Sequence, residues 1–256
     1  PYWDEFNEEV AADDLVSHWN VEVKVGPYFP EVDSEFNLSG DAVGPFEETF
    51  GSSANLMTVV VLDRFFAFPS GQLGVSASLG FNKQYANAFE LDGSGNVMTG
   101  ADGKLQRSSG DRTKFRLFPT SIGAVYRFTR LDDDYNIPII PYARASLAYY
   151  LWYFTDPSGD VSEAPTASCM NPGAPGSDCS GNKARGGTLG YQGSLGIAVR
   201  AERIDPTAEV SLRTQMGIEH AGFFAEIQLA NVDGFGSDSK LAVGDTTWFG
   251  GINFEF

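Results

Sequence analysis

The stretch Gln72-Leu73-Gly74-Val75-Ser76-Ala77-Ser78-Leu79-Gly80-Phe81-Asn82 decides the fold. Leu73, Val75, Ala77, Leu79 and Phe81 share one parity, while Gln72, Gly74, Ser76, Ser78, Gly80 and Asn82 share the other. An extended chain therefore places the apolar groups on one side and small or polar groups on the opposite side. The same two-residue period recurs in seven further stretches. His18 to Tyr28 sets Trp19, Val21, Val23 and Val25 against Asn20, Glu22, Lys24 and Gly26. Asn55 to Phe66 keeps the period, although Val59-Val60-Val61 hides its phase. Ile137 to Phe154 sets Ala143, Ala145, Leu147, Tyr149, Leu151 and Tyr153 against Arg144, Ser146, Ala148 and Tyr150. Thr188 to Ala201 opposes Leu189, Tyr191, Leu195, Ile197 and Val199 to Gly190, Gln192, Ser194 and Arg200. Gly217 to Asn231 opposes Ala221, Phe223, Ala225, Ile227 and Leu229 to His220, Gly222, Phe224, Glu226 and Gln228. Asp245 to Phe256 opposes Trp248, Ile252, Phe254 and Phe256 to Thr247, Gly251, Asn253 and Glu255. In Thr113 to Thr129, Phe115 and Leu117 open the apolar parity and Ile122, Ala124, Tyr126 and Phe128 resume on the opposite one. One extra residue near Pro119-Thr120-Ser121, a β-bulge, is expected to absorb the change.

The connections between these stretches alternate in length. Segments 29–54, 85–112, 155–187 and 232–244 are read as the long set and 67–70, 130–136 and 202–216 as the shorter set, although 202–216 is about as long as 232–244. In 202–216, Asp205-Pro206 reads as an N-cap followed by proline and predicts a short helix to about Gln215. Long loops at one end and tight turns at the other describe an all-β, up-and-down antiparallel meander, and eight strands are enough to close into a barrel. The barrel is assigned to 18–256. Residues 1–17, with Asp4, Glu5, Glu8, Glu9, Asp13 and Asp14 and no basic residue, are expected to form an acidic tail or short helix at its entrance.

Composition excludes several classes. The 256 residues carry 17 basic and 34 acidic side chains, a net charge of −17, so a polyanion such as nucleic acid is repelled. With 42% hydrophobic and only 20% charged residues the chain is too apolar for disorder. No run of about 18 apolar residues exists, which rules out a helical membrane span. The chain opens at Pro1 without a basic-plus-apolar leader, which suggests a removed signal peptide or a trimmed start. Cys169 and Cys179 lie in a Pro/Gly/Ser-rich stretch. A disulfide in an oxidising compartment is the favoured reading over a metal site, which would need more ligands, with two free thiols as the remaining option.

Alternation alone leaves open a soluble barrel or sandwich with its apolar face inward. Three features favour an apolar face turned outward, toward lipid. Gly74, Ser76, Ser78, Gly80, Gly190, Ser194 and Gly196 suit a cramped lumen better than a solvated surface. Glu22, Lys24, Arg144, Arg200, Glu226 and Glu255 supply both signs of charge on that same face and can pair inside a lumen. Trp19, Tyr126, Phe128, Tyr149, Tyr153 and Trp248 sit toward strand ends, as in the aromatic girdles of membrane barrels.

Trp248-Phe249-Gly250-Gly251-Ile252-Asn253-Phe254-Glu255-Phe256 resembles the C-terminal assembly signal of Gram-negative outer-membrane proteins, with Trp248, Ile252, Phe254 and Phe256 on the apolar parity; Gly250 departs from the pattern. Residues 18–256 as a whole are similar to small eight-stranded barrels of the OmpA, OmpX and OmpW type. The resemblance implies a transmembrane barrel in the bacterial outer membrane, with long extracellular loops, short periplasmic turns and both termini in the periplasm. It further implies contact with outer-membrane lipid and lipopolysaccharide and recognition by the outer-membrane assembly machinery.

Catalytic signals are sparse. Some outer-membrane barrels modify lipid A with a histidine, but His18 and His220 both fall at the inferred periplasmic end, away from the outer leaflet. Asp92-Gly93-Ser94-Gly95-Asn96 starts like a calcium loop but has Val97 where glycine is required and Gly103 where a bidentate glutamate belongs. Glu31, Asp33, Glu35, Asp41, Glu47 and Glu48 in 29–54 read as a solvated, self-repelling loop, with divalent-cation binding as the other option. No cofactor is implied. The expectation is a non-enzymatic surface or structural role with a side-chain-filled lumen; a narrow OmpW-like path for small or hydrophobic molecules is the alternative, and lipid A modification the third.

Overall fold

A computed structural model describes residues 19–36, 42–90, 92–94, 96–101, 103–164, 182–201, 217–237 and 240–256. The acidic segment 1–17, His18, the predicted helix at 205–215, and Cys169 and Cys179 lie outside the described residues. Eight long strands are present among those described: β1 Trp19–Tyr28, β2 Asn55–Phe68, β3 Gly71–Phe89, β4 Arg107–Arg127, β5 Ile139–Thr155, β6 Arg185–Arg200, β7 His220–Asn231 and β8 Asp245–Glu255. Each pairs antiparallel with its sequence neighbours, and β1 pairs with β8 to close the ring. Closure is completed by Trp19 N–H donating to Phe256 O at 3.1 Å and Phe256 N–H to Trp19 O at 2.8 Å. The ring has no open edge, so within the closed circuit of pairing the strands' backbone groups are satisfied by their neighbours, as a lipid environment demands.

The alternation translates into sidedness. Along β3, Leu73, Val75, Leu79 and Phe81 are exposed while Gly74, Ser76, Gly80, Asn82 and Gln84 are buried. Leu195 is 68% exposed, Ile122 61% and Leu79 59%, with equivalent apolar residues on every strand, so the outer wall is an apolar band. Inside, small residues make room for large ones. A Cβ on Gly196 would lie 2.4 Å from the Tyr142 ring, one on Gly251 2.7 Å from Phe224, and one on Gly74 2.8 Å from Phe65.

The bulge expected near Pro119-Thr120-Ser121 does not form. Pairing of β4 with β5 runs one residue at a time from Lys114 opposite Thr155 to Arg127 opposite Tyr142, and β3–β4 keeps a single register on both sides of Pro119. Phe115 and Leu117 therefore point into the lumen and are fully buried, instead of joining the outer apolar face. The apparent change of phase has a physical source: at this height the interior is apolar and the exterior carries Lys114 and Arg116. Polarity inverts while geometry does not. The register shift that does occur lies higher, between Asn87 and Phe89.

The connections also differ from expectation. Much of the predicted loop 85–112 is strand, because β3 runs to Phe89 and β4 begins at Arg107. Pairing of β3 with β2 ends at Asn82 opposite Met57, and pairing of β4 with β5 begins at Lys114 opposite Thr155. Above these points β3 and β4 pair only with each other, in a two-stranded ribbon that rises roughly 20 Å over six or seven residues. The acidic segment 29–54 is folded where described, with a 3-10 turn at Val32–Glu35 and a short helix, α1, at Pro45–Phe50. Asp33 caps α1 by accepting from Phe46 N–H at 2.8 Å and Glu47 N–H at 2.7 Å, and Glu35 accepts from Ala242 N–H. These carboxylates hold the loop together instead of being left to water. At the opposite end a single helical turn, α2 (Arg130–Asp133), joins β4 to β5.

Candidate functional site

The lumen has two storeys. Nearest the long connections, Tyr28, Met57, Val59, Phe115, Leu117 and Tyr150 form an apolar core with Phe46 of α1 inserted from above. Phe46 packs edge-on against Phe115 at 5.3 Å between centroids and against Phe29 at 5.7 Å. α1 thus seats an aromatic stopper in the barrel mouth. Its own backbone is tied to the ribbon, since Arg107 donates to Thr49 O at 2.9 Å and also to Glu48 O.

The lower storey is ionic. Arg144 of β5 donates to Asp63 at 2.9 Å, Glu22 at 3.1 Å and Glu226 at 3.3 Å, so one guanidinium joins carboxylates from three strands on far sides of the ring. Lys24 pairs with Glu226 and donates to Gln228 Oε1 at 3.1 Å. Glu226 also accepts from Tyr142 OH at 2.9 Å and Ser194 Oγ at 3.2 Å. Asn20 spans Glu22 at 2.9 Å and Asp63 at 3.0 Å. Closer to the short turns, Arg127 meets Glu255 at 2.5 Å, and Arg200 pairs with Asp132 of α2 and lies 3.6 Å from Glu255. Four cations (Lys24, Arg127, Arg144, Arg200) thus face five carboxylates (Glu22, Asp63, Asp132, Glu226, Glu255) in two ion-pair clusters, which Asn253 joins into one network by donating to Asn20 Oδ1 at 3.4 Å and to Glu255 Oε1 at 3.3 Å. The six lumen charges named from sequence, Glu22, Lys24, Arg144, Arg200, Glu226 and Glu255, all lie in it. Asp63, Arg127 and Asp132 are the additions. Arg127 and Lys24 are also stacked over aromatic rings, 5.0 Å from Phe65 and 4.7 Å from Phe249.

Such a network fills the lumen with paired charge, each ionised group lying against at least one of opposite sign. Removing charge from water is costly unless each group is paired and hydrogen-bonded, and here the pairing crosses the full width of the lumen. Bulk apolar residues outside and paired ions inside reverse the arrangement of a water-soluble barrel.

The chain is a transmembrane-type β-barrel. No protein-family model and no curated protein sequence matches it. Among solved structures it is similar to Ail, the attachment invasion locus protein of Yersinia pestis, at 11% identity and a TM-score of 0.41, covering 93% of this chain and 99% of that one. It is also similar to the N-terminal β-barrel domain of Pseudomonas aeruginosa OprF at 12% identity and a TM-score of 0.39, covering 94% and 98%. The outer-membrane protease OmpT of Escherichia coli follows at 8% identity and a TM-score of 0.33, covering 94% of both chains. An activity does not transfer at this distance; the fold rests on the strand register and sidedness described above.

The remaining sequence candidates fall as follows. Trp248, Ile252 and Phe256 face outward on or just after β8, and Phe254 is half-buried on the same parity. His220 opens β7 opposite Glu255 at the short-turn end. The Asp92 side chain accepts from Ser94 N–H at 2.8 Å and Asn96 N–H at 2.9 Å, so its carboxylate is used in closing its own turn. Tyr149 and Trp248 mark one aromatic belt and Trp19, Tyr126 and Phe128 the other. A shallow groove of about 490 Å³ lies on the outer wall where Ala124, Ala143, Ala145 and Gly193 leave room between Leu73 and Leu195.

Proposed function

We propose that this chain is an integral protein of the bacterial outer membrane with a non-enzymatic structural or surface-interaction role. Both termini face the periplasm, and the long connections 29–54, 90–106, 156–184 and 232–244 lie outside the cell. The observation that carries the reading is the closed lumen: the Arg144 network below and the Phe46 stopper above occupy the cross-section at successive levels. An eight-stranded ring is only just wide enough for side chains to fill, so no aqueous path is left for ordinary solutes. Trp248, Ile252, Phe254 and Phe256 serve as the assembly signal in this reading, and Cys169 and Cys179 form a disulfide in the outer 156–184 segment. The loops supply the surface, and their partner is a component of the envelope or its surroundings.

Planar-bilayer recording tests this. A silent membrane after verified insertion is expected; discrete, reproducible conductance steps overturn the closed-lumen reading in favour of a narrow transporter. A change in lipid A mass in cells expressing the protein, lost in His220→Ala, would overturn the non-enzymatic assignment.

A further inference from the structure

The outer wall of the barrel carries a cluster of cations that no described carboxylate pairs with. On the parity facing away from the lumen lie Lys83 on β3, Arg112, Lys114 and Arg116 on β4, and Arg185 on β6. Register brings them together: Lys83 is opposite Arg116, Tyr85 opposite Lys114, and Asn87 opposite Arg112. Tyr153 stands between Arg116 and Arg185, paired with both. Residues directly opposite on antiparallel strands have Cα atoms about 4.5–5.5 Å apart, and like charges so placed repel.

Among the described residues none of the five forms an ion pair, although the chain has 34 acidic side chains and spends five on the lumen cations. Instead the cations lean on aromatics: Lys83 Nζ is 4.4 Å from the Tyr85 ring, and Arg116 donates to Tyr153 OH at 2.9 Å. From Phe81, two residues before Lys83 on β3, an aromatic row rises through Phe118 to Tyr153 beside the cations, with centroids 5.3 and 6.1 Å apart; Phe118 stacks on Tyr153 and is tilted against Phe81. An aromatic row marks the boundary between acyl chains and headgroups, so the cations stand at the level of lipid phosphates.

We propose that Lys83, Arg112, Lys114, Arg116 and Arg185 form a binding site for the phosphorylated headgroup of a lipid in the leaflet on the long-connection side. The inference rests on the membrane reading above. A phosphate monoester supplies the missing counter-charge, its oxygens accept from the free faces of Arg112, Arg116 and Arg185 in fork geometry, and its acyl chains run down the wall past Phe118. A chain of net charge −17 would otherwise repel anionic lipid, so a local cationic site is needed for specific contact.

The test uses the full chain inserted in phosphatidylcholine vesicles, with insertion verified by heat-modifiable gel migration. Electron paramagnetic resonance then compares the motionally restricted fraction of spin-labelled phosphatidic acid with that of spin-labelled phosphatidylcholine. A preference above about fivefold, the factor one surface cation contributes, is expected. It should fall to near parity in Lys83→Gln/Lys114→Gln/Arg116→Gln and stay unchanged in Arg64→Gln, whose cation sits over Trp19 near the other face. Equal association of both lipids with the inserted wild-type protein, or a preference that survives the triple substitution, overturns the site while leaving the membrane reading intact. Failure to insert overturns both. Inositol hexakisphosphate separates the sources: if it binds the detergent-solubilised protein through the same residues while the spin-labelled lipids show no selectivity, the site is for a soluble polyphosphate and the lipid proposal is wrong.

Discussion

Arg144 contacts Glu22, Asp63 and Glu226 at once, and Lys24, the other cation at that level, reaches only Glu226 among the three. Arg144→Met would leave three buried carboxylates sharing Lys24. A loss of about 3–5 kcal/mol is expected, read as a lower urea midpoint for vesicle-inserted protein. Because the partners act as a unit, Lys24→Met combined with Glu226→Gln should cost less than the two single changes added. Outside the barrel wall, the Asp156 carboxyl is held below its ordinary range by the Ser158 hydroxyl and then by Asp160 and Gly159 N–H groups. A depressed acid supports its turn above the unfolded value near 3.9 and loses that support as pH falls through the folded value. Amide exchange at Gly159 and Asp160 should therefore accelerate below about pH 4, and Asp156→Asn should abolish the pH dependence. Legibility at this scale followed contrast. Glu22, Lys24, Arg144, Arg200, Glu226 and Glu255 interrupt rows of larger apolar neighbours. Asp63 follows Val59-Val60-Val61-Leu62, where both parities are apolar, and so carries no signal of facing. Arg127 was readable from its place between Tyr126 and Phe128, whereas Asp132 sits in a helical turn to which alternation does not apply.

Among the elements, α1 depends most on a contact remote in sequence. Its six residues are too few to hold a helix in water, so Asp33 at its N-terminus and Phe46 in the barrel mouth hold it in place. Phe46→Ala should remove about 3–5 kcal/mol of local packing and Asp33→Ala about 1 kcal/mol of capping. Both should expose 42–50 to limited proteolysis while the heat-modifiable migration of the barrel persists. The acidic composition of 29–54 gave no hint of this, because a carboxylate that caps a helix and one that faces water look alike in one dimension. β4 carries the complementary lesson. Alternation located the strand, but the polarity inversion between Leu117 and Ile122 imitated a slip in phase. Only the continuous register with β5 separates the two.

For the whole molecule, the outward face of the alternation is the decisive property. Leu79→Arg near the middle of the wall should destabilise the lipid-inserted protein by about 2–4 kcal/mol, whereas a water-facing wall would accept the change with little effect. Guanidine titration in vesicles measures it. Eight strands, their order and their sidedness were all legible, since each rests on a two-residue period repeated along the chain. The two-storey lumen was not, because it depends on which inward residues share a height, and that is set by strand stagger. The ribbon of β3 and β4 above the ring has a practical consequence. Its ladder contributes nothing to closing the cylinder, because Asn82 and Lys114 already complete the last full circuit of pairing with β2 and β5. A foreign peptide spliced into 92–101 would be carried aloft on a stalk that lies beyond the last closed circuit, so this hairpin is the natural display port of the molecule.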